Sequence, residues 1–330
     1  MNRRQHVLVD LFENRIALGL IVVLGVPAVL VGYVVLVEAV ISRLPRRVSN
    51  GVRPWLWLAP ALIFLGVFLV YPTLATIWRS FFNRRGDEFA GLENYQWFFT
   101  RNDTLMALRN NVLWAVLLPL LVVGLGLLIA VLVDRVKYEV VVKSVVFLPM
   151  AISFVAAGVI WRLMYDLNPE TGTLNALLAT VGGPQVGWLS TSPWNNLMLI
   201  IVGVWMFTGL AMVILSAGLK GISPELLEAA RIDGANEREV FRHIILPLLS
   251  PTIAVVATTV IIFALKTFDI VYVMTNGNFD TDVIANTMYK ELFANGQQGR
   301  AATVAVVLLL ATVPVMVLNV KRFKQQEEVR

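Results

Sequence analysis

Residues 110–133 read NNVLWAVLLPLLVVGLGLLIAVLV, two asparagines followed by an apolar run without one charged side chain. A helix of about 20 such residues crosses the hydrocarbon of a bilayer. Six further stretches have the same character: 16–41, 54–78, 144–165, 195–219, 252–275 and 301–320. The sequence therefore predicts an all-α polytopic membrane protein of about seven transmembrane helices, a six-helix core preceded by an extra N-terminal helix. Composition agrees, since 58% of the 330 residues are hydrophobic and 15% charged, more apolar side chain than one water-soluble core takes up. The stretch 16–41 exceeds the apolar part of a secretory leader and lacks its small-residue cleavage pattern, so it reads as a retained helix.

Several chemistries are excluded or disfavoured. The chain has no Cys, which removes disulfides, thiol nucleophiles and Cys-based metal sites. With only His6 and His243, no His-based metal site is expected. The net charge of +5 does not point to nucleic acid, because the Lys and Arg lie between apolar runs and not on a basic face with polar or aromatic readers. They report membrane direction instead, since Lys and Arg gather on the cytoplasmic side. Loops 42–53, 134–143, 220–251 and 321–330 carry 15 of them, and loops 1–15, 79–109, 166–194 and 276–300 carry 10. The C-terminus is expected in the cytoplasm and the N-terminus outside. Arg3, Arg4 and Arg15 would equally suit an amphipathic helix on the inner surface.

Two loops stand out. Residues 166–194, with Asn168, Pro169, Gly172, Gly182, Gly183 and Pro184, read as an external excursion holding a short helix near 173–180. Residues 220–251 read as two short cytoplasmic helices. Pro224 and Glu225 start the first, Asp233-Gly234 stops it, and Asn236 caps a second running from Glu237 toward Ile245. Pro247 and Pro251 are expected to break the chain at the membrane surface. The domain reading is an N-terminal helix with a basic linker (1–53), a membrane domain (54–325) and a short tail (326–330).

Within 220–251 the order is Glu228-Ala229-Ala230, three residues, Gly234, nine residues, then Ile244, one residue, Leu246 and Pro247. This resembles the EAA loop of binding-protein-dependent ABC importer permeases. The physical logic is coherent, with alanines for close approach, a glycine for the reversal and a carboxylate for a partner surface. The resemblance extends over roughly 54–325 and points to the sugar-permease branch, of maltose or α-glucoside type. It rests on ordered short matches: Tyr71-Pro72, Asn94-Tyr95, Asn110-Asn111, Phe147-Leu148-Pro149, Trp161, Gly172, Trp188-Leu189, Phe268-Asp269 and Asn276-Gly277. Taken singly, such aromatics and prolines are ordinary interfacial anchors. Asn278-Phe279 departs from the pattern, standing where many relatives carry a second Gly and a Pro.

The resemblance implies a multi-pass subunit of a prokaryotic cytoplasmic (inner) membrane. It implies a second homologous permease, two ATP-binding subunits using ATP and Mg, and an extracytoplasmic sugar-binding protein. The EAA loop would dock on an ATPase and pass its motion to the membrane helices. No G-x-x-x-x-G-K-[ST] string occurs, so ATP hydrolysis is expected elsewhere and no catalysis is assigned to this chain. The cargo implied is a di- or oligosaccharide such as an α-glucoside, with glycerol phosphate as an alternative small polar solute.

Inside the spans, Lys266 and Asp269 are the exceptional charges, since such groups face protein or water and not lipid. Their i, i+3 spacing predicts one helix face on which they neutralise each other, either as a packing pair or as pathway lining. Sugar sites combine flat aromatic faces with hydrogen-bonding groups. Trp205, Phe207 and Thr208 in the fifth span and Thr267 and Phe268 in the sixth supply both, and Met150 and Ser153 are further candidates that the resemblance suggests. A self-sufficient secondary transporter or channel using Lys266 and Asp269 is the main rival reading, and a non-transporting anchor or sensor a third.

Overall fold

The computed structural model describes residues 15–134 and 136–328; Arg3, Arg4, His6 and the last two residues of the tail lie outside it. The described residues are helical, without a strand and with one isolated bridge between Phe82 and Phe89. Two compact units divide the chain at residues 75 and 76. In the first, α1 (Arg15–Ser42) and α2 (Arg46–Leu65) form a hairpin, and a π turn at Gly66–Val70 leads into α3 (Tyr71–Arg79). Tyr33 donates from its hydroxyl to the Leu56 carbonyl, and Arg53 reaches Glu38 at 3.1 Å.

The second unit runs from the end of α3 through α4 (Glu93–Thr100), α5 (Asn102–Val133), α6 (Glu139–Phe147) and α7 (Phe154–Met164). There follow α8 (Thr173–Thr180), α9 (Trp194–Lys220), α10 (Pro224–Ile232), α11 (Glu237–Val240) and α12 (Leu246–Leu265). The unit closes with α13 (Asp269–Met274), α14 (Ile284–Tyr289) and α15 (Gln298–Glu328). Among the described residues, six helices are long and apolar enough to cross a membrane: Ile21–Ser42, Val48–Arg79, Asn102–Val133, Trp194–Lys220, Glu237–Leu265 and Gln298–Val317.

The other predicted span, 144–165, is not one straight helix. Its two halves, Glu139–Ala151 and Phe154–Met164, meet at 99°. A 3₁₀ turn at Leu148–Ala151 contains Pro149, and Ser153 then caps the next helix by accepting from the Ala156 N–H at 3.2 Å. The bend is seated on Gly209 of α9, where a Cβ would lie 2.5 Å from the Val146 oxygen. The sixth predicted span also stops early. Helix α12 ends at Leu265, and Lys266 to Phe268 form a short non-helical link to α13.

The prolines at 247 and 251 do not break the chain as expected from the sequence. Helix α11 continues through a π turn, Phe241–Ile245, straight into α12. A proline removes one N–H and its ring crowds the carbonyl four residues back, and a widened turn just before it relieves both. The same order of π turn and proline occurs at Gly66–Val70 and Pro72.

The centre of the second unit is the pair α5 and α9. Helices in lipid associate through close packing and small residues more than through exclusion of water. Gly126 of α5 meets α9 so closely that a Cβ there would lie 2.6 Å from that of Ala211. Around this contact Leu118, Val122, Leu199, Val202 and Met212 are buried, with Val256 and Val260 of α12 packed in the same cluster.

Asparagines then fix the irregular segments to the helices. Asn110 donates to the carbonyls of Asp280 and Asp282, both at 2.8 Å, Asn195 to Phe279 at 2.5 Å, and Asn196 to Asp280 at 3.2 Å. These bonds hold a turn in which Asn276, Phe279 and Asp280 take positive φ values of 50°, 58° and 62°, a region costly for non-glycine residues. The excursion 166–194 carries helix α8 where the sequence predicts one, pinned by the buried Asn175, which bonds Asp166 and Val186.

Candidate functional site

The link between α12 and α13 borders a cavity of about 210 Å³. Lys266, Thr267 and Phe268 come from the link itself, and Asp269 and Ile270 from the start of α13. Helix α5 contributes Trp114 and Leu118, while Phe154, Phe207 and Phe263 arrive from α7, α9 and α12. The Phe207 ring lies 4.8 Å from that of Phe263 and 5.7 Å from that of Phe154. On another side Phe268 stacks on Tyr272 at 5.1 Å and meets Tyr289 at 5.3 Å. Flat aromatic faces thus share the lining with Lys266, Thr267 and Asp269, a mixture suited to an amphipathic ring with polar edges.

The break, not a continuous helix face, positions the two charges. Lys266 terminates α12 and Asp269 opens α13, and among the described residues no ion pair joins them. The expected mutual neutralisation on one helix face is therefore not the observed geometry: the link interrupts the i, i+3 register, and the two side chains line the cavity separately.

The second site is the loop 220–251. Helix α10 closes in a Schellman turn, with Ala235 N–H bonded to Ala230 at 3.0 Å and Gly234 N–H to Arg231 at 3.1 Å. Gly234 adopts φ +90°, with nothing within 4 Å of where a Cβ would stand. Asn236 caps α11 in a reciprocal capping box with Glu239. Arg231 reaches Glu237 at 2.8 Å across the turn, and this carboxylate holds the guanidinium above its ordinary pKa. Glu228 and Ala229 are exposed, and Leu226 and Ile232 expose 45% and 86% of their surface, so α10 presents a bare, partly apolar face.

A family model described as the binding-protein-dependent transport system inner membrane component matches residues 107–321. The chain belongs to this family. The permease is 50% identical over 279 residues to the osmoprotective compounds uptake permease protein GgtC of Synechocystis sp., covering 83% of this chain and all of that one. It is 44% identical over 288 residues to the alpha-glucoside transport system permease protein AglF of Rhizobium meliloti, covering 86% and 85%. Its fold matches a chain in the crystal structure of a bacterial ABC transporter involved in the import of the acidic polysaccharide alginate. That match has a TM-score of 0.73 at 24% identity and covers 84% and 99% of the two chains. The permease is thus a multi-pass inner-membrane transport subunit, and its relatives are permease components of transport systems.

Of the pathway residues named from sequence, Phe207, Lys266, Thr267, Phe268 and Asp269 come together at the cavity. The other four do not line it. Trp205 packs on Trp161 at 5.6 Å, and the Thr208 hydroxyl donates to Val204 within its own helix at 2.6 Å. Met150 sits exposed in the 3₁₀ turn, and Ser153 is occupied as the cap of α7. In the permease loop, Glu228, Ala229 and Ala230 share α10, Gly234 makes its reversal, and Ile244, Leu246 and Pro247 lie at or just after the π turn. Sequence reasoning missed Trp114, Leu118, Phe154, Phe263 and Ile270. Trp114 alone left a signal, an indole donor within an otherwise aliphatic run.

Proposed function

We propose that this permease conducts an α-glucoside, or a closely similar neutral polyhydroxylated compound, through the membrane in an ATP-driven importer. The observation that carries the reading is the cavity at the α12–α13 link, whose lining joins aromatic rings to one cation and one anion. Its formal charge sums to zero. A phosphorylated cargo such as glycerol phosphate would bring an unbalanced charge to this lining, whereas sugar hydroxyls exchange hydrogen bonds with Lys266, Thr267 and Asp269 while ring faces rest on phenylalanines. Relatives named for an alpha-glucoside and for osmoprotective compounds support the class.

In this reading the loop 220–251 is the coupling element. The bare face of α10, with Glu228, Ala229 and Ala230, docks on an ATP-binding subunit, and Gly234 holds the turn that presents it. A second homologous permease completes the membrane portion, two ATPase subunits bind ATP and Mg, and an extracytoplasmic binding protein delivers the sugar. The C-terminus lies in the cytoplasm, on the same side as the loop.

The test is ATP-dependent uptake by the reassembled importer in liposomes, comparing labelled α-linked disaccharides with glycerol 3-phosphate. Uptake of the former, abolished without ATP or without the binding protein, is the expected result. Flux through the purified permease alone, without ATPase subunits, would instead establish a secondary transporter. Preference for glycerol phosphate would overturn the neutral-cargo assignment.

A further inference from the structure

A second cavity, of about 310 Å³, lies apart from the α12–α13 link. It forms where two membrane-spanning segments end, Val48–Arg79 stopping at Arg79 and Gln298–Val317 starting at Gln298. The latter's 20 residues make about 30 Å of helix, the thickness of the hydrocarbon, so Gln298 stands at its boundary. Thr76 and Arg79 of α3 line the cavity at this polar end together with Gln298. Farther along α15 the lining turns apolar, with Ala302 and Ala305, and Leu292 joins them from the π turn Lys290–Ala294. Ala305 is two turns past Gln298, about 10 Å along the axis. One end of the groove therefore meets the level of lipid head groups, and the other lies beside acyl chains.

Arg79 is exposed, and among the described residues no ion pair engages its guanidinium. No carboxylate lines the groove either, so its formal charge is +1. Trp78, 65% exposed, stands beside Arg79, the placement usual for tryptophan at the head-group level. A guanidinium there matches the oxygens of a phosphate in charge and in geometry. An arginine in the last turn of a helix also suits the helix dipole. That role needs neither a groove nor polar neighbours from a second helix.

We infer that this groove binds an anionic phospholipid of the surrounding bilayer. Arg79 and the Gln298 amide donate to its phosphate, and the upper part of one acyl chain lies along Leu292, Ala302 and Ala305. The single positive charge of the lining is balanced by a head group of net negative charge and not by a zwitterionic one, as in other basic pockets between membrane helices. The head-group end sets which lipid is chosen, whereas the apolar end adds affinity for any chain.

The experiment titrates the full-length chain, delipidated in a nonionic detergent, with phosphatidylglycerol, phosphatidylcholine or inorganic phosphate. Native mass spectrometry counts what is bound. One saturable phosphatidylglycerol is expected, preferred over phosphatidylcholine. Arg79→Gln should weaken phosphatidylglycerol by about 10-fold, the size of one charge-assisted hydrogen bond, and erase the preference. Ala305→Leu should instead weaken both lipids alike and keep the preference; should that variant misfold, Ala302→Leu fills the same end. Unchanged lipid selection in Arg79→Gln overturns the inference even if its melting temperature falls, which is all that a dipole role would produce. Inorganic phosphate binding as tightly as phosphatidylglycerol, and lost in Arg79→Gln, would make this a soluble-anion site and overturn the lipid assignment. So would a photo-crosslink from position 302 to another protein subunit in the assembled transport complex, with no lipid retained there.

Discussion

Asn111 of α5 donates its side-chain amide to the carbonyl oxygen of Leu265 at 3.0 Å, at the point where α12 ends. Its own oxygen accepts from the Ile284 N–H at 2.7 Å, at the start of α14. One buried side chain thus ties together two helix ends that border irregular segments. Replacing Asn111 with Leu leaves both backbone groups unpaired, at about 1–3 kcal/mol each. The purified protein should melt at clearly lower temperature, and uptake should fall because the link that carries Lys266 loses its anchor. Unchanged melting and uptake would show that the link is held by other means.

The charges at the link do not pair in this structure, and the prediction for them follows. Lys266→Met and Asp269→Leu should impair uptake additively, with the double variant worse than either single change. A double-mutant cycle on uptake and assembly measures the coupling. A double variant milder than both singles would mean that the two charges meet in another state of the transport cycle.

Gly234 offers a test of conformation free of crowding. With φ at +90° and open space around the position, substitutions act only through the backbone, at about 1–2 kcal/mol for an ordinary L-residue. Loss of ATPase stimulation by the loaded binding protein should follow the order Asn, Ala, Val, from least to most severe, since asparagine tolerates the left-handed region best. Full coupling in Gly234→Val would remove this turn from the mechanism.

Gly126 tests the central helix pair by the opposite route. An added methyl would meet the Ala211 Cβ at 2.6 Å, so Gly126→Ala should lower stability by about 1–3 kcal/mol through overpacking. Adding Ala211→Gly should restore part of it, since the Met212 nitrogen at 3.0 Å and the Ala211 carbonyl carbon at 3.2 Å remain close. Thermal unfolding of both singles and the double in one detergent reads the effect, and absence of rescue would place the strain elsewhere.

Hydropathy made the number and places of the long helices legible, and the punctuation at Gly172, Gly234 and Asn236 located the short ones. The breaks were not legible. Lys266-Thr267-Phe268 contains neither glycine nor proline, and its non-helical form is supported by Asn111, 154 positions away in the chain. Conversely, Pro247 looked like a stop and is not one, because the widened turn before it accommodates the ring. Half of the cavity lining was hidden for a related reason. Phe154 and Phe263 are indistinguishable in sequence from lipid-facing aromatics until the bend after Ala151 and the end of α12 bring them together.

The unbroken passage from Glu237 to Leu265 has a mechanical consequence. Its 29 residues make a lever about 43 Å long at 1.5 Å per residue. One end carries the Gly234 turn and the other carries Lys266. Its far end is pinned by Asn111, so that pin serves as a fulcrum. A tilt of about 5° about this pin moves the Gly234 end by about 4 Å over such a length. A displacement of α10 enters this helix through the Gly234 turn and rotates it about its Asn111 pin beside the cavity, with no further loop before the Lys266 link.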